Sequence, residues 1–172
     1  MNMKLASRVK RIIRHWLFTH GQLRRAFSRA SLERIERAIR VSETTHCGEI
    51  RFAVEGALDG APLFKAQTAR ERALDLFSQL RIWDTENNNG ILIYVLLADH
   101  AVEIVADRGI HARVGAQTWQ AICRQVEQAF AQADYPGGIV KGIEAATQVL
   151  SKHFPLQGSR NNELPDTPVV LA

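Results

Sequence analysis

The sequence predicts an α/β domain, and two observations carry this prediction. Ile91 to Leu97 is a continuous apolar run rich in β-branched and aromatic side chains, typical of a central strand covered on both faces. Segments with helical periodicity lie before and after it in the chain, so helices can cover both faces. At 172 residues, with 46% hydrophobic and 23% charged residues, the chain has the size and composition of one globular domain.

The first predicted element is a short basic amphipathic helix within residues 1–20, ended by Gly21. Its apolar side chains recur at helical spacing, and basic side chains occupy much of the remaining circumference. One interpretation is attachment to an anionic membrane surface. The other is an apolar stripe that packs on the domain or on a second copy. The residues assigned to membrane binding are Arg8, Arg11, Arg14 and Trp16.

Charge is distributed unevenly along the chain, whose net charge is +4. Residues 1–40 carry 11 basic and two acidic side chains, a balance of +9. The remainder carries 11 basic and 16 acidic side chains, a balance of −5. A basic arm on a mildly acidic body makes an anionic membrane or nucleic acid a candidate partner for the arm alone.

The following elements begin the α/β domain. Ser31 is the expected N-cap of a helix that runs to about Glu43. Residues 49–55 alternate apolar and charged side chains, which predicts a strand with one buried face. On this interpretation Glu49 and Arg51 are cross-strand charges on the solvent face.

The second half of the domain has clear boundaries. Thr68 and Glu71 form a capping box for the next helix. A turn at residues 98–100 joins the buried strand to a second strand at 101–106, which predicts a β-hairpin. Two amphipathic helices follow, the second beginning near Pro136. We therefore predict three segments, listed in chain order: a helical arm at 1–27, an α/β domain at 28–155 and a flexible tail at 156–172.

One stretch of the sequence resembles a known family. Asn88-Asn89-Gly90 is followed by ILIYVLLADHAVEIVADRGI, and Tyr135-Pro136-Gly137-Gly138 precedes the last helix. From about residue 31 to 154 the chain resembles the TPM domain family, which is named for a thylakoid-lumen protein of photosystem II repair and includes many bacterial envelope proteins. The resemblance implies a three-layer α/β/α sandwich with a mixed sheet, and a pocket at one sheet edge for phosphatase activity or calcium binding. The acidic residue usual after the glycine loop is absent from residues 111–116.

The densest polar cluster precedes the central strand. Asp84, Glu86 and Asn88 offer the oxygen ligands that hard cations prefer, so together with Asp107 they are candidate ligands for calcium or magnesium. The cluster does not match an EF-hand, because position twelve of that template is Val95. The alternative is a helix-to-strand turn in which Asn side chains cap their own backbone.

Asp107 and Arg108 end the second hairpin strand and are the candidate catalytic residues. Arg108 is suited to hold a phosphate, and Asp107 to act as a ligand or base; the alternative is a surface ion pair. The sequence contains no phosphatase cysteine motif, Asp-x-Asp motif, nucleophile elbow or P-loop. Cys47 and Cys123 fit neither a zinc site nor a redox pair.

Three functions therefore compete. The first is a phosphatase-like hydrolase of the TPM type that uses a divalent cation and acts on a phosphate-containing substrate. The second is a non-catalytic module that binds a protein while its basic helix rests on the inner membrane surface. Nucleic-acid binding ranks last, because the arm lacks a readout motif. With no signal-peptide segment and no apolar run of membrane-spanning length, the sequence predicts a cytoplasmic protein, peripheral at the inner membrane in the second case.

Overall fold

A four-stranded mixed sheet lies between two helical layers in the computed structural model, which describes residues 3–156, 158 and 162–171. The three-layer α/β/α sandwich predicted for the chain is confirmed. The strands are β1 (Glu49–Glu55), β2 (Gly90–Leu96), β3 (Ala101–Ala106) and β4 (Val169–Leu171). The helices are α1 (Met3–Trp16), α2 (His20–Ala26), α3 (Arg29–Ser42), α4 (Gly60–Phe64), α5 (Ala69–Gln79), α6 (Arg108–Val114), α7 (Ala116–Ala131) and α8 (Tyr135–His153).

The strand order is β3-β2-β1-β4, so β1 and β2 are internal. β1 pairs in parallel with β2 and with β4, whereas β2 and β3 form the antiparallel hairpin that the sequence predicted. Helices α2, α3, α7 and α8 contribute to one core with one face of the sheet. Helices α4 and α5 contribute to the second core on the other face. Because β1 pairs in parallel with β2 and with β4, the carboxyl ends of these three strands lie at the same end of the sheet.

β1 is buried on both faces, which corrects the prediction of a strand with one solvent face. Glu49 is fully buried and Arg51 is 7% exposed. Arg51 donates hydrogen bonds to the carbonyl oxygens of Pro165 and Thr167, and Glu49 accepts one from the backbone N–H of Leu164. Residues from the end of the chain cover this face, so the charges meet backbone groups instead of water.

The same contacts correct the prediction of a flexible tail over 156–172 for the part that the structure describes. Residues 169–171 form β4 beside β1, and Leu164 is buried in the second core. The segment lacks helical or strand periodicity because only β4 pairs regularly, and Leu164, Pro165 and Thr167 are held by the buried charges of β1. Residues 157, 159–161 and 172 lie outside the described part of the chain.

The helix boundaries near the N-terminus also differ from the prediction. The first helix ends at Trp16, and Gly21 lies inside α2, which Thr19 begins with a capping box. Ser28, not Ser31, is the N-cap of α3: its hydroxyl accepts a hydrogen bond from the backbone N–H of Ser31. An N-cap side chain accepts a hydrogen bond from a backbone amide two or three residues later in the chain. Ser31, the predicted N-cap, is therefore the hydrogen-bond partner of the actual N-cap, Ser28.

No helix within the described residues is both long enough and apolar enough to cross a bilayer.

Candidate functional site

The predicted polar loop lies at the amino ends of β1 and β2. Asp84, Glu86 and Asn88 are exposed, and the Glu86 backbone N–H donates a hydrogen bond to the carboxylate of Glu163 (2.9 Å). Among the described residues, no three His, Cys, Asp or Glu side chains are grouped so that they could hold a metal ion. The structure thus does not gather the loop carboxylates into one ligand set.

Asp107 is 5% exposed and is the N-cap of α6. Its Oδ1 accepts a hydrogen bond from the backbone N–H of Arg108 (2.6 Å), and its own N–H donates to the carbonyl oxygen of Gly90 (2.9 Å). The side chain of Arg108 is exposed at the start of α6. Asp107 thus bonds to the first backbone amide of α6, and the ion pair between side chains that the sequence offered as an alternative is not formed between these two residues.

Two buried oxygen atoms at this end of the sheet have no hydrogen-bond partner in the described part of the chain: Oδ1 of Asn89 and Oδ2 of Asp107. The Nδ2 group of Asn89 donates to the carbonyl oxygen of Cys47, which fixes its amide in the loop. A Cβ on Gly109 would lie 2.6 Å from the carbonyl oxygen of Asn88, so the loop packs tightly on the start of α6. These oxygens suit a hard cation chemically, but they supply only one carboxylate.

A second polar cluster, which the sequence did not predict, lies at the carboxyl end of the parallel strands. Asp99 follows β2 and accepts bonds from three side chains of α1: Arg11 (2.8 Å), Arg14 and His15 (2.9 Å). Burial alone raises the pKa of Asp99, but the hydrogen bonds from His15 and Arg11 outweigh burial and hold the pKa well below its usual value. The carboxylate is therefore ionised, and it fixes α1 to the domain.

The polar side of α1, together with Ile12, packs on the domain, and most of its apolar side does not. Arg8 donates a hydrogen bond to the carbonyl oxygen of Phe64, Arg11 bonds to that of Gln67, and the ring of His15 is fully buried. The apolar stripe of α1 faces solvent, with exposed fractions from 46% to 83%; it consists of Leu5, Val9, Ile13, Trp16 and Leu17. Of the four predicted membrane-binding residues, the three arginines have partners in the domain, and Trp16 is the most exposed residue of the stripe.

A buried Ser–His pair on the opposite side of the molecule has no catalytic arrangement. The Nδ1 atom of His46 accepts a hydrogen bond from the backbone N–H of Gly48 (3.1 Å). In the neutral ring the proton is then on Nε2, which lies 2.8 Å from the hydroxyl oxygen of Ser42. This oxygen is also 2.6 Å from the hydroxyl of Thr147. His46 therefore donates toward Ser42 and cannot act as its base.

Comparison with known proteins decides the family. The family model of the TPM domain matches residues 23–149. The chain belongs to the TPM domain family. No curated protein matches the sequence.

Solved structures agree with this TPM domain in fold. The chain is similar to the BA42 protein of the psychrophilic bacterium Bizionia argentinensis, with 31% identity and a TM-score of 0.74 over 84% of this chain and 94% of that one. It also resembles the N-terminal domain of a protein from P. gingivalis, with 20% identity and a TM-score of 0.60 over 76% of this chain and 82% of that one. At 20% identity, the second likeness concerns the fold alone.

Sequence reasoning located the polar loop of this TPM domain, missed the docking of α1 on Asp99, and left open which way the apolar stripe of α1 faces. The half-buried position of Asp99 depends on a contact with α1, which is distant in the sequence. The sequence feature that indicates this contact is a single acidic residue, Asp99, in the hairpin turn of a chain that begins with a strongly basic helix. The outward direction of the apolar stripe had no sequence signal, because periodicity does not tell which face of a helix packs inward.

Proposed function

We propose that this TPM domain is a module that attaches peripherally to an anionic membrane surface through α1. The observation that carries the proposal is the apolar stripe of α1 facing solvent while the polar side of the helix is fixed to the domain. Because a helix advances about 100° per residue, the five residues of the stripe cover about 120° of its circumference. A contiguous exposed apolar surface of this kind marks a site of interaction with a membrane or a protein.

Cations beside the stripe favour an anionic membrane as the partner. Arg14 and Arg25 line the same groove as Leu17. Lys10, Arg24 and Arg25 are exposed and form no ion pair among the described residues. Each basic side chain near an anionic bilayer contributes about 1 kcal/mol of attraction. Tryptophan and leucine side chains insert at the boundary between headgroups and acyl chains.

The same charges disfavour a second copy of the chain as the partner. A symmetric contact between two stripes would bring two sets of these cations together, and like charges across an interface cost several kcal/mol. Arg8 and Arg11 have a structural role in the proposal: their bonds to the domain fix α1 with its stripe outward.

The test is sedimentation with vesicles of phosphatidylcholine alone or mixed with phosphatidylglycerol. The full chain is expected to sediment with the anionic vesicles at low salt and to be released as salt rises. The double variant Val9→Gln and Ile13→Gln should lose this binding. Leu74→Gln is the matched control, because Leu74 is as exposed as Val9, at 46%, but lies on α5. Unchanged binding by the double variant contradicts the proposal, as does a dimer of the unmodified chain that the same variant dissociates.

A second candidate function rests on the unpartnered oxygens of Asn89 and Asp107. In this hypothesis a divalent cation, calcium or magnesium, binds Asp107 and Asn89, polarises a phosphate ester, and Arg108 holds the phosphate. The cation should raise the melting temperature of the unmodified protein, and Asp107→Asn should abolish that rise together with any aryl phosphate hydrolysis. Arg108→Lys should weaken hydrolysis but keep the rise. If no cation changes the melting temperature, this hypothesis is wrong.

A further inference from the structure

A cavity of about 430 Å³ lies between α1, α2 and the loop that follows β1. Its apolar lining consists mainly of Ile12, Trp16, Phe18, Leu23, Leu58 and Leu63. The volume falls within the range of about 300–1,000 Å³ that small-molecule sites occupy. The cavity lies beyond the carboxyl end of β1, the end at which α/β sheets commonly form ligand crevices.

The inner polar groups of the lining are already hydrogen-bonded within the protein. His15 accepts a bond from the backbone N–H of Leu58 (2.9 Å) and pairs with Asp99 through its other nitrogen. The hydroxyl of Thr19 caps α2. None of the buried polar atoms that lack a partner in the described part of the chain belongs to this lining. The other polar lining residues, His20 and Asp59, are exposed, so a polar ligand would find no free partner in the buried part of the cavity, which suits a hydrocarbon.

The opening of the cavity adjoins the apolar stripe of α1. Trp16 belongs both to the stripe and to the lining, and Phe64, also in the lining, is 61% exposed. Phe18 forms part of the inner wall by lying directly on Gly56, where a Cβ would be 2.8 Å from its ring. An apolar molecule can therefore pass from the surface of the stripe into the cavity without crossing a polar rim at Trp16.

We propose that this cavity binds one acyl chain of a membrane phospholipid. The inference rests on the proposed membrane attachment, because insertion of the stripe places the opening at the boundary between headgroups and acyl chains. A linear chain satisfies both constraints: it is apolar throughout its buried length, and its source is the layer that the stripe contacts. A compact apolar metabolite also fits the lining, but the proposed membrane attachment does not raise its concentration near Trp16.

The experiment uses dodecanoate brominated near the middle of its chain, which quenches tryptophan fluorescence on contact. In a Trp83→Phe background, Trp16 and the buried Trp119 remain, and only Trp16 lines the cavity. Quenching should saturate in this protein. Ala57→Phe fills the cavity from its wall and should weaken quenching at least tenfold. The matched control is Ala61→Phe, because Ala61 is exposed on α4 outside the cavity.

Three further measurements separate the outcomes. Dihexanoylphosphatidylglycerol should compete with the brominated chain; competition by free dodecanoate alone overturns a phospholipid source. Amide NMR shifts on titration of the unmodified protein should concentrate at Leu58 and Leu63, a result independent of whether Ala57→Phe folds. The Val9→Gln and Ile13→Gln variant should lose vesicle binding but keep the quenching. This result distinguishes a loss of membrane attachment from a loss of acyl-chain binding. Absence of saturable quenching in the unmodified cavity, or equal quenching after Ala57→Phe, overturns the inference.

Discussion

The two ends of the chain both pack on the α/β domain, but they use opposite chemistry. The C-terminal segment, residues 162–171, adds a strand to the sheet and places its backbone groups on the buried charges of Glu49 and Arg51. The N-terminal helix α1 adds no strand, and it docks through arginines and a histidine on the single carboxylate of Asp99. The C-terminal segment therefore completes the core, whereas α1 contributes only Ile12 to it and keeps the rest of its apolar side outside.

This difference indicates separate roles for the two ends. Loss of the backbone partner of a buried charge strongly destabilises the fold, because the charge is then either exposed to water or left buried without a hydrogen bond. A partly exposed ion cluster contributes less, since water and salt compete with it. We therefore expect the C-terminal segment to determine stability, and α1 to be held in a position that serves a surface function.

Truncation after Pro155 should have the largest effect. It removes β4, the burial of Leu164 and the partners of Glu49 and Arg51. Hydrogen bonds to charged groups contribute about 1.5–3 kcal/mol each, and release of the segment recovers part of this as chain entropy. A net loss of about 3 kcal/mol would lower the melting temperature by roughly 6–12 °C, measurable by calorimetry.

The control for the truncation is Glu163→Gln in the full chain. This change keeps the segment and alters only the charge of an exposed side chain that accepts a hydrogen bond from the backbone N–H of Glu86 (2.9 Å), so the melting temperature should stay within about 1 °C. A truncated chain as stable as the full one would show that the segment does not stay on the sheet in solution.

The substitution Arg51→Met should reproduce a large part of the stability that is lost on truncation after Pro155. Methionine keeps the apolar stem but leaves the carbonyl oxygens of Pro165 and Thr167 without their donor. A cost of about 2 kcal/mol is expected, seen as a lower urea midpoint with an unchanged slope. In the truncated chain the same substitution should cost clearly less, because the carbonyl partners and Asp166 are gone and the attraction to Glu43 remains. An equal cost in both chains would mean that Arg51 acts independently of the segment.

The contrast between the ends also shows what the sequence could predict. Local patterns located the buried strand, the hairpin and the Thr68–Glu71 capping box, because each depends on neighbours in the chain. The role of Arg51 depends on carbonyl groups more than 110 residues away, for which no periodicity exists. Charged alternation on β1 is also the pattern of an ordinary solvent-facing strand.

The candidate site was predictable in part for the same reason. The order of residues placed the polar loop and Asp107 at strand ends, and the hairpin register brings residue 107 beside Gly90. The sequence could not tell that Asp84 and Glu86 point to solvent while Asn89 is buried. That choice depends on the carbonyl oxygen of Cys47, which approaches from the start of β1.

Asp99→Asn should have a smaller, local effect at the other end of the chain. The substitution removes the charge that holds Arg11 and Arg14, so α1 should loosen while the sheet is unaffected. We expect faster amide exchange across residues 7–16 and a loss of about 1 kcal/mol, or roughly 2–4 °C. Glu33→Gln is the control, because its pair with Arg29 is exposed and lies within one helix. Unchanged exchange in α1 would mean that its apolar contacts alone hold it.

The smallest expected effect is the pH dependence of this docking, measured as the difference in stability between the unmodified protein and Asp99→Asn. Folding lowers the pKa of Asp99 because His15 and Arg11 bond to its ionised form, against an opposing effect of burial. A lowered folded pKa gives a contribution that is complete above the unfolded value of about 3.9 and is lost as the pH falls toward the folded value. The difference should thus be constant from pH 8 to about 5 and should shrink below about pH 4. The asparagine variant retains Arg14, His15 and the neighbouring His100, so the two proteins differ only at residue 99. A difference that already falls between pH 7 and 6 would instead assign the docking to a histidine, and α1 would then be a helix whose position responds to mild acid.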